Sequence, residues 1–498
     1  MSARDLYLVS PALSLAILAT ALVLAGPLLR RSGAVQAVAL AGLSVPLALG
    51  VSLWAGLDGA EAAFGGALVS DGLSVFLGLL VTCASALVLL ASFTHAERYR
   101  PYGGEFAGLL LFSAAGLTLL AGAADLLTIY VSLELASLPV AALAAFAKGR
   151  AGGVEAGVKY LLLSAVASAV LLYGFAFLYG ATGTLRLIAP DGGPTIATAV
   201  VAGHGGFAYG GSAVLVGAAL AAVGFGFKLS MVPAQMWTPD VYQGAPVPVG
   251  AFLAVASKGA AFAVVLRLFT VGLGPVEADW SVLFAVLAAI TMTVGNLTAL
   301  AQSNLKRLLG YSTIAHAGYM LMGVAAVAAN SREAGDGSLG PTAVLFYLAG
   351  YAAMNLAAFF VALAVTERTG DETIAGLAGL AKRSPVLAAA LAVSAIALTG
   401  LPPTVGFVGK LFLFNAAVNT GLLWLVVVGA LNGVVSAYYY LNLVRVAYLR
   451  EPVSPERIGV PRTLAVALGV CVCAVLVLGV WPSGLLALAR TAAAALVP

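Results

Sequence analysis

Four ionisable side chains, Glu134, Lys228, Lys258 and Lys410, stand inside apolar runs long enough to cross a membrane. A charge near the bilayer centre costs at least ~2.5–3.5 kcal/mol, so four unpaired ones would cost roughly 10–14 kcal/mol. A chain carries such groups only if they are paired, hydrated or used. The chemistry open to them is proton exchange, because a carboxyl and three amines take up and release protons without a metal or cofactor. Glu134 lies about ten residues into its run, a depth of about 15 Å at ~1.5 Å per residue, close to the middle of a ~30 Å core. Lys258 lies at a similar depth, and Lys228 and Lys410 lie beside helix-breaking sequences. Two other readings exist. Snorkelling to the interface suits Lys159 and Arg267, which sit near run ends, and a static Glu–Lys pair would fix packing. Intramembrane charges default to function, so proton handling is the expectation.

The elements that position these groups follow from composition. Hydrophobic residues make up 62% and charged residues 9%, with a mean hydropathy of +1.06; soluble domains carry about 25% charged residues. The fold class is therefore an all-α polytopic membrane protein. About fourteen transmembrane helices are expected, near 7–29, 33–55, 73–93, 105–122, 124–147, 157–180, 211–243, 247–270, 280–301, 306–328, 341–366, 384–417, 420–448 and 463–489. The longest connection, 181–210, is Gly-rich with Pro190 and Pro194. The chain reads as one membrane-embedded domain over 1–498. Its parts are three N-terminal helices (1–100), two repeats (105–270 and 280–448) and a C-terminal helix (449–498). The first run begins near Leu6 after Arg4 and reads as a retained helix rather than a cleaved leader. The stretch around Arg490 reads as the end of the last helix. A net charge of +4, scattered along the chain, does not suggest nucleic acid. Cys83, Cys471 and Cys473 lie in apolar runs and offer neither a disulfide framework nor a metal site.

Basic residues give the orientation. Sixteen of the 24 lie on one side of the expected bundle: Arg30, Arg31, Arg98, Arg100, Lys148, Arg150, Lys159, Lys306, Arg307, Arg368, Lys382, Arg383, Arg445, Arg450, Arg457 and Arg462. The other side has Arg4, Arg186, Arg332 and Arg490, with Arg267 near it. The positive-inside rule then places both termini outside.

Two runs are interrupted. The seventh contains Pro233 and Pro239 and is followed by Pro246; the twelfth contains Pro402 and Pro403 between Gly400 and Gly406. Proline removes a donor and clashes with the preceding turn. Non-helical backbone at membrane depth survives only against protein or a wet cavity. Paired interrupted helices point to an inverted-repeat transporter core. The breaks are five spans apart, and an odd repeat inverts its second copy, so spans 4–8 and 9–13 form the two inverted five-helix repeats. Lys228 precedes its break and Lys410 follows its own.

The stretch from Lys228 to Pro246, reading KLSMVPAQMWTPDVYQGAP, resembles the signature of subunit N of respiratory complex I, the antiporter-like membrane subunit of NADH:quinone oxidoreductase. Ser132–Pro139 around Glu134, Ala256–Lys258, Tyr311–Tyr319 around His316, and Gly400–Lys410 are similar too. The resemblance implies that Glu134 pairs with Lys228, that Lys258 is a central relay and that Lys410 is the terminal group near the outer exit. Lys159 and His316 match polar family positions with weaker claims. Ala234-Gln235 departs from the Phe-His common in the family, and Gln235 cannot carry charge. A carboxylate ~4 Å from an ammonium attracts it by ~4 kcal/mol at an effective permittivity of ~20. A close Glu134 would therefore keep Lys228 protonated, and a withdrawn one would let it pass a proton inward.

No Cys set for iron–sulfur clusters, P-loop or dinucleotide fingerprint is present in the sequence. The resemblance accordingly implies flavin, iron–sulfur clusters and quinone on partner subunits and no cofactor on this chain. It also implies neighbouring antiporter-like and small membrane subunits as partners. The ending about 17 residues after Trp481 lacks the long lateral helix of subunit L. The large Ala and Gly content suggests a bacterial gene and so a plasma membrane. Two other readings stand beside this one: a subunit of a multi-subunit cation/proton antiporter, and a non-transporting membrane scaffold for a redox complex.

Overall fold

The computed structural model describes residues 2–28, 33–93, 102–147, 149, 151–189, 192–203, 210–327, 338–452 and 456–496. Arg30, Arg31, Arg98, Arg100, Lys148, Arg150, Arg332 and Pro190, named above, lie outside the described residues.

The chain is mostly helical, as lipid requires: with no water to serve the backbone, each spanning segment must satisfy its own N–H and C=O groups. The short α1 (Ala3–Leu8) precedes α2 (Ser10–Ala25), and α3 (Ala34–Gly42) and α4 (Ser44–Ala55) meet at Leu43. A hairpin absent from the sequence reading follows, with β1 (Glu61–Ala63) antiparallel to β2 (Leu68–Ser70) and Glu61 opposite Ser70. Arg4 Nε donates to Glu61 Oε2 at 2.8 Å and ties α1 to this hairpin. Next come α5 (Gly72–Ala91), α6 (Gly103–Gly122), α7 (Leu126–Ala144) and α8 (Ala151–Thr182). Asp71 and Asp125 start α5 and α7 by accepting from Ser74 N and Thr128 N, which serves donors a helix N-terminus leaves free.

The long connection holds a short helix, α9 (Ile196–Val201). The seventh run is split into α10 (Gly210–Leu229) and α11 (Trp237–Gly244). The eighth is α12 (Val247–Phe252) and α13 (Lys258–Arg267), with π-helical turns at Leu253–Ser257 and Leu268–Gly272. Then follow α14 (Glu277–Leu300), α15 (Leu305–Ala325), α16 (Leu339–Thr369) and the single turn α17 (Leu380–Arg383). The twelfth run is split into α18 (Pro385–Thr399) and α19 (Val405–Asn419). The chain closes with α20 (Leu423–Leu449), α21 (Arg462–Val480) and α22 (Ser483–Ala494). The expectation of one continuous last helix is corrected here: it stops at Trp481-Pro482, and α22 folds back onto α5 and α16.

Among the described residues, twelve helical stretches are long and apolar enough to cross a membrane. α15, which carries Lys306, Arg307 and His316, is not one of the twelve, and α18 and α19 are each shorter. The stretches differ in what surrounds them. The apolar window of Val247–Gly272 is wholly buried and that of Leu339–Thr369 is 94% buried, whereas only 28% of that in Arg462–Val480 is. Helices α12–α13 and α16 are thus encircled by protein, and residues they carry, such as Lys258, cannot meet lipid.

Candidate functional site

The two helix breaks are built alike. α10 ends with Ser230 in the left-handed region (φ 59°), and α18 ends with Gly400 (φ +88°). One residue later, Met231 N donates back to Gly226 O at 2.8 Å, and Leu401 N to Ile396 O at 3.1 Å. Both are the six-to-one bond that closes a helix C-terminus. Proline stands three residues after the left-handed residue in each case, at Pro233 and Pro403. Gly406 is required by crowding, because a Cβ there would lie 1.9 Å from Ala397 O. The broken chain thus returns tightly against its own first half.

Each break presents a free carbonyl to a lysine. Leu229 and Thr399 each precede the left-handed residue. Lys258 Nζ donates to Leu229 O at 3.0 Å, and Lys410 Nζ donates to Thr399 O at 2.7 Å. Terminal carbonyls carry the negative end of the helix dipole, worth up to ~2 kcal/mol to a partly buried cation. Lys258 and Lys410 occupy different slots in sequence but equivalent electrostatic positions in space. Both residues are almost fully buried, at 1% and 5% exposure. The π-helical turn Leu253–Ser257 lies directly before Lys258, and such turns cluster at functional positions.

Helix α15 joins these lysines. Lys258 Nζ also donates to Thr313 O at 2.7 Å. His316 follows one turn later, its Nδ1 2.7 Å from Tyr347 Oη and its Nε2 3.1 Å from Tyr440 Oη. Tyr440 continues to Ser312. Another turn on, Tyr319 places its ring centroid 4.5 Å from Lys410 Nζ. Thr313, His316 and Tyr319 therefore form a stripe at three-residue spacing, with Lys258 at one end and Lys410 at the other. An imidazole bonded at both nitrogens can accept a proton on one and release it from the other.

Glu134 and Lys228 begin this row, but not as the close pair that the resemblance implies. Among the described residues they form no ion pair within 4.0 Å. Lys228 Nζ donates to Tyr160 Oη at 2.7 Å, and Ser168 Oγ donates to Glu134 Oε1. Both hydroxyls belong to α8, which packs between α7 and α10. Lys228 is one residue from Leu229, whose carbonyl holds Lys258. Lys258, His316 and Lys410 thus follow one another along α15, with Lys228 beside Lys258 and Glu134 joined through Ser168 to the helix that holds Lys228.

Lys159 is elsewhere. It is 39% exposed and pairs with Glu155 Oε1 at 2.6 Å and Asp240 Oδ2 at 2.7 Å. Asp240 also takes Arg307 Nη1 at 2.5 Å. Glu155, Asp240, Gln243, Arg307 and Glu372 line a polar cavity of about 390 Å³. Gln235 lies in the first break, its Oε1 buried with no hydrogen-bond partner among the described residues.

Arg267 does not snorkel, contrary to the reading that its run-end position suits. It makes a bidentate pair with Asp71, Nη1–Oδ2 2.7 Å and Nη2–Oδ1 3.0 Å, with side chains 1% and 2% exposed. Sequence reasoning passed over Asp71, Tyr160 and Ser168. Asp71 precedes a helix and reads as a simple cap. The hydroxyls follow the i, i+4, i+8 spacing Tyr160, Ser164, Ser168, a signal that becomes readable only once α8 is known to lie between Glu134 and Lys228.

Residues 123–436 match the family described as NADH:quinone oxidoreductase/Mrp antiporter, TM. NADH-quinone oxidoreductase subunit N of Dehalococcoides mccartyi is 42% identical over 87% of this chain and 88% of its own length. A chain of respiratory complex I from Thermus thermophilus superposes with a TM-score of 0.77 at 35% identity, covering 96% of this chain and 98% of that one. A chain of the Mrp complex from a Dietzia species shares the fold, with a TM-score of 0.83 at 23% identity over 99% and 97% of the two chains.

Proposed function

The chain belongs to the NADH-quinone oxidoreductase subunit N proteins of the NADH:quinone oxidoreductase/Mrp antiporter family, and on that premise we propose that it moves protons along its buried row. Glu134 and Lys228 form the switch, Lys258 and His316 the relay, and Lys410 the terminal group near the outer exit. The observation that carries this reading is the continuity of the row. Lys258 and Lys410 each cap a broken helix, and α15 places His316 between them. A scaffold would gain nothing from burying three lysines, so the row counts against that alternative. The identity to subunit N relatives favours this reading over a cation/proton antiporter.

Electron chemistry belongs to partner subunits that hold flavin, iron–sulfur clusters and quinone, while this chain contributes proton translocation. Its neighbours are a second antiporter-like subunit and small membrane subunits. Fourteen spans follow if α15 and the joined pair α18–α19 are added to the twelve long stretches. The matching ends of α10 and α18 support two inverted repeats, spans 4–8 and 9–13, after three N-terminal helices. Pro233, Pro402 and Pro403 are the breaks. The basic side faces the cytoplasm of a bacterial plasma membrane and both termini face outward. Lys159 belongs to the polar cluster at the cytoplasmic face.

The test is proton translocation per NADH in membranes carrying Glu134→Ala or Lys228→Ala. Both should fall; unchanged values in both would refute the role. Purification of a sodium-exchanging assembly without flavin or iron would favour the antiporter reading instead.

A further inference from the structure

We propose that Tyr160 and Ser168 are positioning residues that hold Lys228 and Glu134 apart, so that helix α8 sets when this acid–base pair closes. The inference rests on the proton-carrying role proposed for Lys228. Opposite charges in one part of a membrane core close on each other unless something holds them, and here Lys228 is buried and Glu134 half-buried. Here each has a hydroxyl instead, Tyr160 for the ammonium and Ser168 for the carboxylate. The register brings the groups together: α10 and α8 are antiparallel, and a Cβ on Gly224 would lie 2.6 Å from Leu171 Cβ. Counting one turn from that contact sets Lys228 level with the turn from Ser164 to Ser168.

Packing alone does not explain either hydroxyl. The Tyr160 ring is fixed by Phe227 (centroids 5.6 Å) and by Trp237 edge-on at 5.2 Å, and a phenylalanine would fill that space equally well. Trp237 is itself pinned by a bond from Nε1 to Phe227 O at 2.8 Å, so the ring aims its hydroxyl at Lys228. Serine in a helix usually bonds back to the preceding turn. Ser164 does so, to Leu161 O at 3.0 Å, while Ser168 turns to Glu134. The helix thus carries one contact for each member of the pair on one side, two turns apart. Two arrangements follow. In the one observed, the hydroxyls hold the charges apart; in the other, Lys228 and Glu134 leave them and meet. A small rotation or slide of α8 alters both contacts at once.

The test uses the whole respiratory complex in vesicles and reads protons moved per NADH. Lys228→Met defines this subunit's share as the fall from wild type. Tyr160→Phe and Ser168→Ala should each remove at least half of that share. Ser168→Thr should restore it, and the double variant should be no worse than the more affected single. If Lys228→Met changes nothing, the proton-carrying reading itself fails. If Lys228→Met lowers the ratio while Tyr160→Phe and Ser168→Ala keep the full share, the holding role is overturned. Should Tyr160→Phe fail to assemble, the Ser168 pair decides: loss in Ala with recovery in Thr supports the inference, and an unchanged ratio in Ala overturns it.

Discussion

Removing one partner of the Arg267–Asp71 pair should destabilise the protein far more than removing both. The pair is bidentate at 2.7 and 3.0 Å, nearly free of solvent, and bridges residues 196 positions apart. Arg267 Nη2 also donates to Ala121 O at 3.2 Å, so three segments meet at one guanidinium. Breaking a buried pair from one side costs about 3–5 kcal/mol because the other charge is left uncompensated. Asp71 additionally caps α5 through Ser74, which adds about 1 kcal/mol to its loss. Asp71→Leu should therefore lose about 4–6 kcal/mol and Arg267→Met about 3–5 kcal/mol. The double variant should recover most of this, since apolar replacement of a whole buried pair is often neutral or stabilising by about 1–4 kcal/mol. At roughly 1.4 kcal/mol per tenfold, even 3 kcal/mol is more than a hundredfold in the folding equilibrium. The assay is denaturation of the detergent-solubilised subunit, with its abundance in membranes as a second reading. Losses below about 1 kcal/mol in both single variants, or a double variant as weak as the sum of the two, would refute the argument.

Three further outcomes follow. Gly400→Ala should lose about 1–2 kcal/mol, because φ is +88° and the new Cβ would lie 2.7 Å from Lys410 Cδ; thermal denaturation should show it together with lowered translocation. Ser230→Gly should gain about 1 kcal/mol in the same assay, since Ser230 holds φ 59° where glycine is favoured. His316→Phe should keep the helix packed yet sever the Tyr347 and Tyr440 contacts; protons moved per NADH should fall, with subunit abundance near normal.

Much of this was legible in the sequence because lipid imposes strong local rules. Apolar runs became helices, and Pro233 lies between α10 and α11 as Pro402 and Pro403 lie between α18 and α19. Glu134, Lys228, Lys258 and Lys410 stood out because charge is rare at such depth. What stayed hidden depended on contacts between distant segments. Ser230 ends α10 in a conformation that composition does not announce, since no glycine marks it. The shared role of Lys258 and Lys410 as caps is invisible in their unlike sequence slots and appears only when the carbonyls of Leu229 and Thr399 are located. Arg267 looked like an interfacial residue because its partner is 196 residues away. The resemblance implied a direct Glu134–Lys228 pair, while α8 supplies a hydroxyl to each.

If one row carries protons, Lys258 is its midpoint, bonded to Leu229 O on one side and Thr313 O on the other. The most direct test is the number of protons moved per NADH by a complex carrying Lys258→Met, which keeps the side chain's bulk and removes its charge. The row predicts a clear fall, equal to that of Lys228→Met and not deepened by combining the two. A wild-type ratio in an assembled Lys258→Met complex would contradict it.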